Sequence, residues 1–251
     1  MCPVTVFEQD GCDLRVEWGL DGVHALGPHC AVLVVVDVLV FTTTVDVALG
    51  RGARVLPLPW RDERAAAMAE ALGAVLTPPG LDESYGQPGW TLRPSSLTDL
   101  PAGTLLGIAS PNGATLAAAA AETGTAVLAG CLRNASAVAA AASAIAEDRP
   151  VGVIAAGERW RPERTLRPSI EDYLGAGAIA AAVTGRSAPS SEATLAAVSY
   201  RAVRDRIPAL LGGSISGREL IAAGVPEDVA LATDVDVSTV VPVLDNGVFT
   251  S

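Results

Sequence analysis

The run VLVVV at positions 32–36, followed at once by Asp37, constrains this chain more than any other stretch. Five consecutive apolar residues, mostly valine, suit a strand buried on both faces, and such strands belong to the interior of a parallel sheet. Residues 38–41 stay apolar. Thr42, Thr43 and Thr44 then lead into the helical-looking VDVALGRGA. The order is strand, carboxylate, hydroxyl cluster, helix start. It places an oxygen ligand for a hard cation beside a helix N-terminus able to hold an anion.

The rest of the chain repeats the strand–helix alternation. Residues 4–7 and 14–17 read as two short strands around Gln9-Asp10-Gly11. Residues 54–58 form a strand, and 61–72 a helix closed by Gly73. Strands at 104–109, 126–129 and 150–156 alternate with helices at 112–122 and 134–147, and Ser169 caps a helix from Ile170. Residues 190–207 read as one long helix, and two short helices flank Gly224-Val225-Pro226. A terminal hairpin turns at Asp245-Asn246-Gly247. This pattern predicts one α/β domain over residues 1–251, a three-layer α/β/α arrangement on a mixed, mainly parallel sheet. In such sheets ligands sit beyond the carboxyl ends of the strands. The loops 37–44, 110–113, 130–134 and 157–172 are therefore expected along one rim. The Pro- and Gly-rich stretch 77–103 is long for a connection and reads as a binding loop or lid.

The net charge of −11, with arginine as the only basic residue type, argues against general nucleic-acid binding. It leaves room for a small anionic substrate, because a metal or a few arginines can invert the field inside a cleft. Cys2, Cys12, Cys30 and Cys131 show no zinc-like spacing with His24 or His29 and read as reduced, mostly buried thiols. The first residues lack the basic start and apolar run of a signal peptide, and alanine-rich 114–121 is too short to span a bilayer. The expectation is a cytoplasmic protein with no membrane partner. A homo-oligomer is compatible with the sequence.

Within the rim, Asp37 can bind a metal or act as a base, and the three threonines can seat a phosphate or sulfonate. Glu171 and Asp172 fall in the first turn of a helix, where side chains at adjacent positions diverge by about 100°. Asn112, Gly113, Arg133 and Asn134 occupy strand-to-helix turns, and Arg133, Arg159 and Arg161 can clamp an oxyanion. Each feature also has an ordinary use: helix capping, dipole compensation or surface solvation. No P-loop and no Gly-rich dinucleotide fingerprint follows a strand.

Taken together and in this order, the motifs resemble the 2-phosphosulfolactate phosphatase family, from about residue 32 to 242. The family's Asp-Val-Leu-Arg-Ala-Thr-Thr-Thr is similar to Asp37-Val38-Leu39-Val40-Phe41-Thr42-Thr43-Thr44. Its Thr-Asn-Gly-Thr is approached by Pro111-Asn112-Gly113-Ala114, and its Gly-Ser-Phe-Leu-Asn-Ala by Gly130-Cys131-Leu132-Arg133-Asn134-Ala135. Glu171-Asp172 and Gly175-Ala176-Gly177-Ala178 keep its Glu-Asp and Ala-Gly-Ala elements. Ser216-Gly217-Arg218-Glu219-Leu220, Glu227-Asp228-Val229-Ala230 and Val241-Pro242 fit near the end.

The resemblance implies a Mg²⁺-dependent phosphatase converting 2-phospho-3-sulfolactate to 3-sulfolactate. It implies a site in which Asp37, Glu171 and Asp172 are catalytic and metal-binding. Thr42, Thr43, Thr44, Asn112, Gly113, Arg133 and Asn134 would hold substrate, and Glu83 could close over it. The arginine expected after Leu39 is Val40, the second middle threonine is Ala114, and the Asn-Ser-Pro of the long loop is reduced to Pro94-Ser95-Ser96. Those departures leave open phosphatase action on another hydroxy acid. They also leave open a non-catalytic member that binds a small anion or a protein partner.

Overall fold

The protein is described from a computed structural model covering residues 6–78, 89–160 and 162–251. Cys2, Glu83, Arg161 and residues 4 and 5 of the first expected strand lie outside the described residues.

The strands are β1 (Leu14–Trp18), β2 (Val32–Val36), β3 (Arg54–Leu58), β4 (Val75–Leu76), β5 (Leu105–Ala109), β6 (Ala126–Gly130), β7 (Val151–Ala155), β8 (Glu158–Arg159), β9 (Leu166–Arg167), β10 (Val243–Asp245) and β11 (Val248–Thr250). The main helices are α1 (Gly19–Leu26), α2 (Phe41–Gly50), α3 (Glu63–Leu72), α4 (Gly113–Glu122), α5 (Ala135–Ala146), α6 (Ile170–Ala182) and α7 (Ser191–Val203). Three shorter ones follow: α8 (Ile207–Gly213), α9 (Ile215–Ala222) and α10 (Pro226–Ala232).

A nine-stranded sheet in the order β1-β7-β2-β6-β10-β11-β3-β5-β4 carries the fold, with β8 and β9 forming a separate hairpin. β2 is where its sequence puts it. Every residue from Val32 to Val36 is fully buried, between parallel neighbours β7 and β6. The steps β6/β10, β10/β11 and β11/β3 are all antiparallel. The β3–β5–β4 half therefore runs opposite to the β1–β7–β2–β6 half. The terminal hairpin joins the two halves through one residue pair on each side, Val243 with Leu128 and Phe249 with Val55. Its turn is set by Asn246 and Gly247, both at positive φ, as a tight hairpin requires.

Five strand steps separate β2 from β5, roughly 24 Å across a flat sheet. The link from Ala109 to Gly113 spans at most about 14 Å. Yet the Gly113 N–H lies 2.8 Å from Asp37 Oδ2, so the sheet is strongly coiled. Helices α2 and α4 each touch strands of both halves, while α5 and α6 pack on the β7–β2–β6 side. Close approach explains the small residues of α6. A Cβ at Gly175 would fall 2.6 Å from Val38 Cγ2, and one at Gly177 would fall 2.2 Å from the Ala196 carbonyl oxygen in α7.

Two expectations need correction. The described part of the first expected strand is a short 3-10 turn, Val6–Glu8. The long helix expected over 190–207 is broken, with α7 ending at Val203 and a 3-10 turn leading into α8.

Candidate active site

Asp37 is the first residue after β2 and is 5% exposed. Thr42 fixes its backbone. The Thr42 N–H and hydroxyl each donate to the Asp37 carbonyl at 2.8 Å, and the hydroxyl oxygen accepts from the Asp37 N–H at 3.1 Å. The Thr43 hydroxyl donates to the Val38 carbonyl, and that of Thr44 points to the carbonyls of Val40 and Leu92. The three threonines are fully buried, so their hydroxyls tie the strand–helix turn together.

With its backbone held, the Asp37 carboxylate faces the start of α4, where Oδ2 accepts the Gly113 N–H at 2.8 Å. The preceding residue serves a second acid: Asn112 Nδ2 donates to Glu158 Oε2 at 3.1 Å. Glu158 arrives from the β8–β9 hairpin, directly beyond β7.

The first turn of α6 supplies two more carboxylates, both buried. Asp172 binds three donors: Val38 N–H at 2.7 Å on Oδ1, with Gly157 N–H at 2.9 Å and the Ser169 hydroxyl at 2.8 Å on Oδ2. It thereby locks the ends of β2 and β7 to the start of α6. Glu171 is different. Its Oε1 is buried and has no hydrogen-bond partner among the described residues.

These acids perturb one another. Burial, then the negative charge of Glu158, pushes Asp37 up to about 7, against the opposing pull of the Gly113 and Phe41 amides. Burial, then Asp37 and Glu171, drives Asp172 well above the usual carboxylate range despite its three donors. Glu158 is also raised, first by burial; Asn112 and Arg167 pull it back down, and Glu171 and Glu219 push it up. A buried set of like charges cannot all ionise without a countercharge. Arg167, opposite Glu158 in the hairpin, is a nearby cation among the described residues; its Nη2 donates to Ser216 Oγ at 3.1 Å and its guanidinium lies 5.9 Å from the Trp160 ring centre.

The structure thus brings together Asp37, Asn112, Gly113, Glu171 and Asp172 from the sequence-derived set. It does not bring Arg133 or Asn134 to them. Arg133 forms ion pairs with Asp46 at 2.8 Å and Asp234 at 3.3 Å and donates to the Leu231 carbonyl. The fully buried Asn134 accepts from the Cys131 N–H and donates to the Val240 carbonyl. Arg159 is exposed and donates to the Arg164 carbonyl. Removing Arg133 takes the cation from the buried Asp46 carboxylate, which keeps only the Ser238 hydroxyl at 2.6 Å among the described residues. Arg133→Ala is therefore expected to cost about 3 kcal/mol in urea unfolding and to leave KM within about threefold of wild type, a shift under 1 kcal/mol. Wild-type stability with a KM raised tenfold would instead place the guanidinium on substrate.

Glu158 and Arg167 escaped the sequence reading. Their segment was expected at the rim, but the charges of 158–167 look alike in sequence. Only the hairpin pairing of Glu158 with Arg167 singles them out.

Among the described residues, no three His, Cys, Asp or Glu side chains are grouped tightly enough to enclose an ion unaided. Also among them, no helix is long and apolar enough to cross a membrane. A sequence model of the family described as 2-phosphosulpholactate phosphatase matches residues 23–247, all but the two ends of the chain. The chain belongs to this family, one of phosphoric monoester hydrolases.

Proposed function

We propose that this member of the family is a Mg²⁺-dependent phosphatase acting on a small phosphorylated hydroxy acid, with Asp37 and Glu171 as the groups that hold the ion. The observation that carries the reading is the unpartnered Glu171 Oε1, buried beside the raised carboxylates of Asp37 and Glu158. A buried acceptor without a donor costs about 1–3 kcal/mol, more if charged. A cation supplies what the protein withholds. Mg²⁺ suits such a site because it is bound through one or two carboxylates and completes its shell with water and phosphate oxygens. The bound ion would draw charge from the phosphoryl group and lower the pKa of the attacking water.

The chain's own residues do the rest. Hydrolysis adds the water oxygen to phosphorus and returns a proton to the departing hydroxyl. In the metal-free chain burial and Glu158 push Asp37 up to about 7; a bound cation would favour its ionised form, so its role here is that of a ligand. Gly113 and Asn112 hold Asp37 and Glu158 in place. Asp172, with its oxygens bound to three donors, acts as the brace that keeps Val38, Gly157 and the α6 start in register. Arg167 is the cation placed to meet a second anionic group of the substrate.

The residues favour a substrate other than the sulfonate that the family's description names. Position 40 holds a valine that is 3% exposed, and Ala114 is fully buried. Neither offers a charge or a hydroxyl to a sulfonate, which favours phospho-hydroxy acids whose second anion meets Arg167.

Phosphate release from a panel of phosphorylated 2-hydroxy acids, 2-phosphosulfolactate among them, tests the reading. Release that needs Mg²⁺ and stops with chelator is the expected result. Saturable binding of the same compounds without turnover, unchanged by Mg²⁺, would identify a binding protein instead.

A further inference from the structure

We infer that the cavity between α6, α7 and β1 is a second binding site, for a small carboxylate with a short apolar body. The cavity measures about 200 Å³, and Arg186 and Arg201 stand at it against walls that include Leu14, Val183, Pro189 and Ala197. No Asp or Glu lines it, and among the described residues neither arginine has a carboxylate partner. In a chain of net charge −11 that is an unusual place to leave two cations together.

Each guanidinium is oriented by one backbone carbonyl. Arg186 Nη1 donates to Arg149 O at 2.9 Å, and Arg201 Nη2 donates to Ala181 O at 3.0 Å. Those bonds fix the planes and leave other N–H groups available. Arg186 Nε itself is buried and has no acceptor among the described residues, so a ligand in the cavity would be met by the remaining Nη groups of the two arginines. A planar fork of donors matches a carboxylate, with two oxygens to accept. The apolar wall suits a hydrocarbon body and gives inorganic phosphate nothing to pack against.

This site is separate from the acidic one. Ala180 and Val183 lie at the far end of α6 from Glu171, roughly 14 Å along the helix axis at about 1.5 Å per residue. The inference does not depend on the phosphatase reading.

Isothermal titration of the full chain with isovalerate, and with 3-methylbutan-1-ol as the uncharged analogue, tests it. The titration runs to about 10 mM, where even a millimolar Kd gives near-saturation. The expected result is one acid bound per chain, with the alcohol at least about tenfold weaker, a loss worth about 1.4 kcal/mol. Arg186→Gln should weaken the acid at least tenfold. Thr194→Trp, at an exposed rim position, should block it, and Asp37→Asn should leave it unchanged. Circular dichroism confirms folding of each variant; should Arg186→Gln not fold, Thr194→Trp and the acid–alcohol comparison decide. No saturable heat with the acid, equal binding of acid and alcohol, or binding indifferent to Thr194→Trp would overturn the assignment.

Discussion

Asp37→Asn is expected to lower Mg²⁺-dependent phosphate release by at least about a thousandfold, yet to raise the stability of the metal-free protein. Activity falls because the amide cannot hold a hard cation as a carboxylate does. Stability rises because Asp37 is held against its preference. Its carboxyl titrates near 7 in the folded chain, against an ordinary value of 3.8. Between those values the unfolded chain has lost a proton that the folded chain keeps, so metal-free stability falls as pH rises from about 4 to about 7. Above 7 this contribution is constant. The full effect is on the order of a few kcal/mol, shared with Asp172 and Glu158, which titrate with it. Urea midpoints at several pH values read this directly. The wild type should lose stability across that window without metal and recover it with Mg²⁺. The Asn variant should lose less and recover little. Equal pH slopes for the two proteins would show that Asp37 does not carry the raised titration.

The second large effect comes from a residue with no side chain. Gly113→Ala would place a Cβ 2.2 Å from Phe41 Cδ1 and 2.8 Å from Asp37 Oδ2. Both neighbours are locked. Phe41 is 1% exposed and packs edge-to-face on Phe249, and Asp37 is held by Thr42 and by the Gly113 N–H itself. Either the ring or the carboxylate must move. Overpacking of this kind costs about 1–3 kcal/mol. A misplacement of about 1 Å at the reacting centre costs about a hundredfold in rate. Activity should therefore fall about a hundredfold, with KM changed far less than kcat. A variant with wild-type kcat would mean that Phe41 alone yields and that the Asp37–Gly113 contact is dispensable.

Much of this arrangement was legible in the chain. The valine run placed β2 because a short apolar run rich in β-branched residues suits a strand covered on both faces. The rule that sites lie past strand ends brought Asp37 and the α6 acids to one place, across 134 residues in the case of Asp172 and Val38; Gly113 follows a strand of the opposed half and reaches Asp37 only through the coiling of the sheet. The uses of individual polar groups were not legible. A threonine hydroxyl can meet a phosphate or turn back onto a carbonyl, and only the three-dimensional path of residues 37–44 shows the latter. Arg133 looked free in sequence because its partner Asp46 is 87 residues away. The insertion of the terminal hairpin between two opposed half-sheets leaves no local mark either, since each junction is a single residue pair.

The account rests on a buried group of acids, with Glu171 Oε1 left without a donor, that is completed by a divalent cation. Mn²⁺ binding followed by electron paramagnetic resonance, with Mg²⁺ competition, is the most direct measurement. The account predicts one site per chain in the wild type, displaced by Mg²⁺ and weakened at least about tenfold, or about 1.4 kcal/mol, in Glu171→Gln. Binding that is unchanged in Glu171→Gln, or no site at all in the folded wild-type protein, would contradict it.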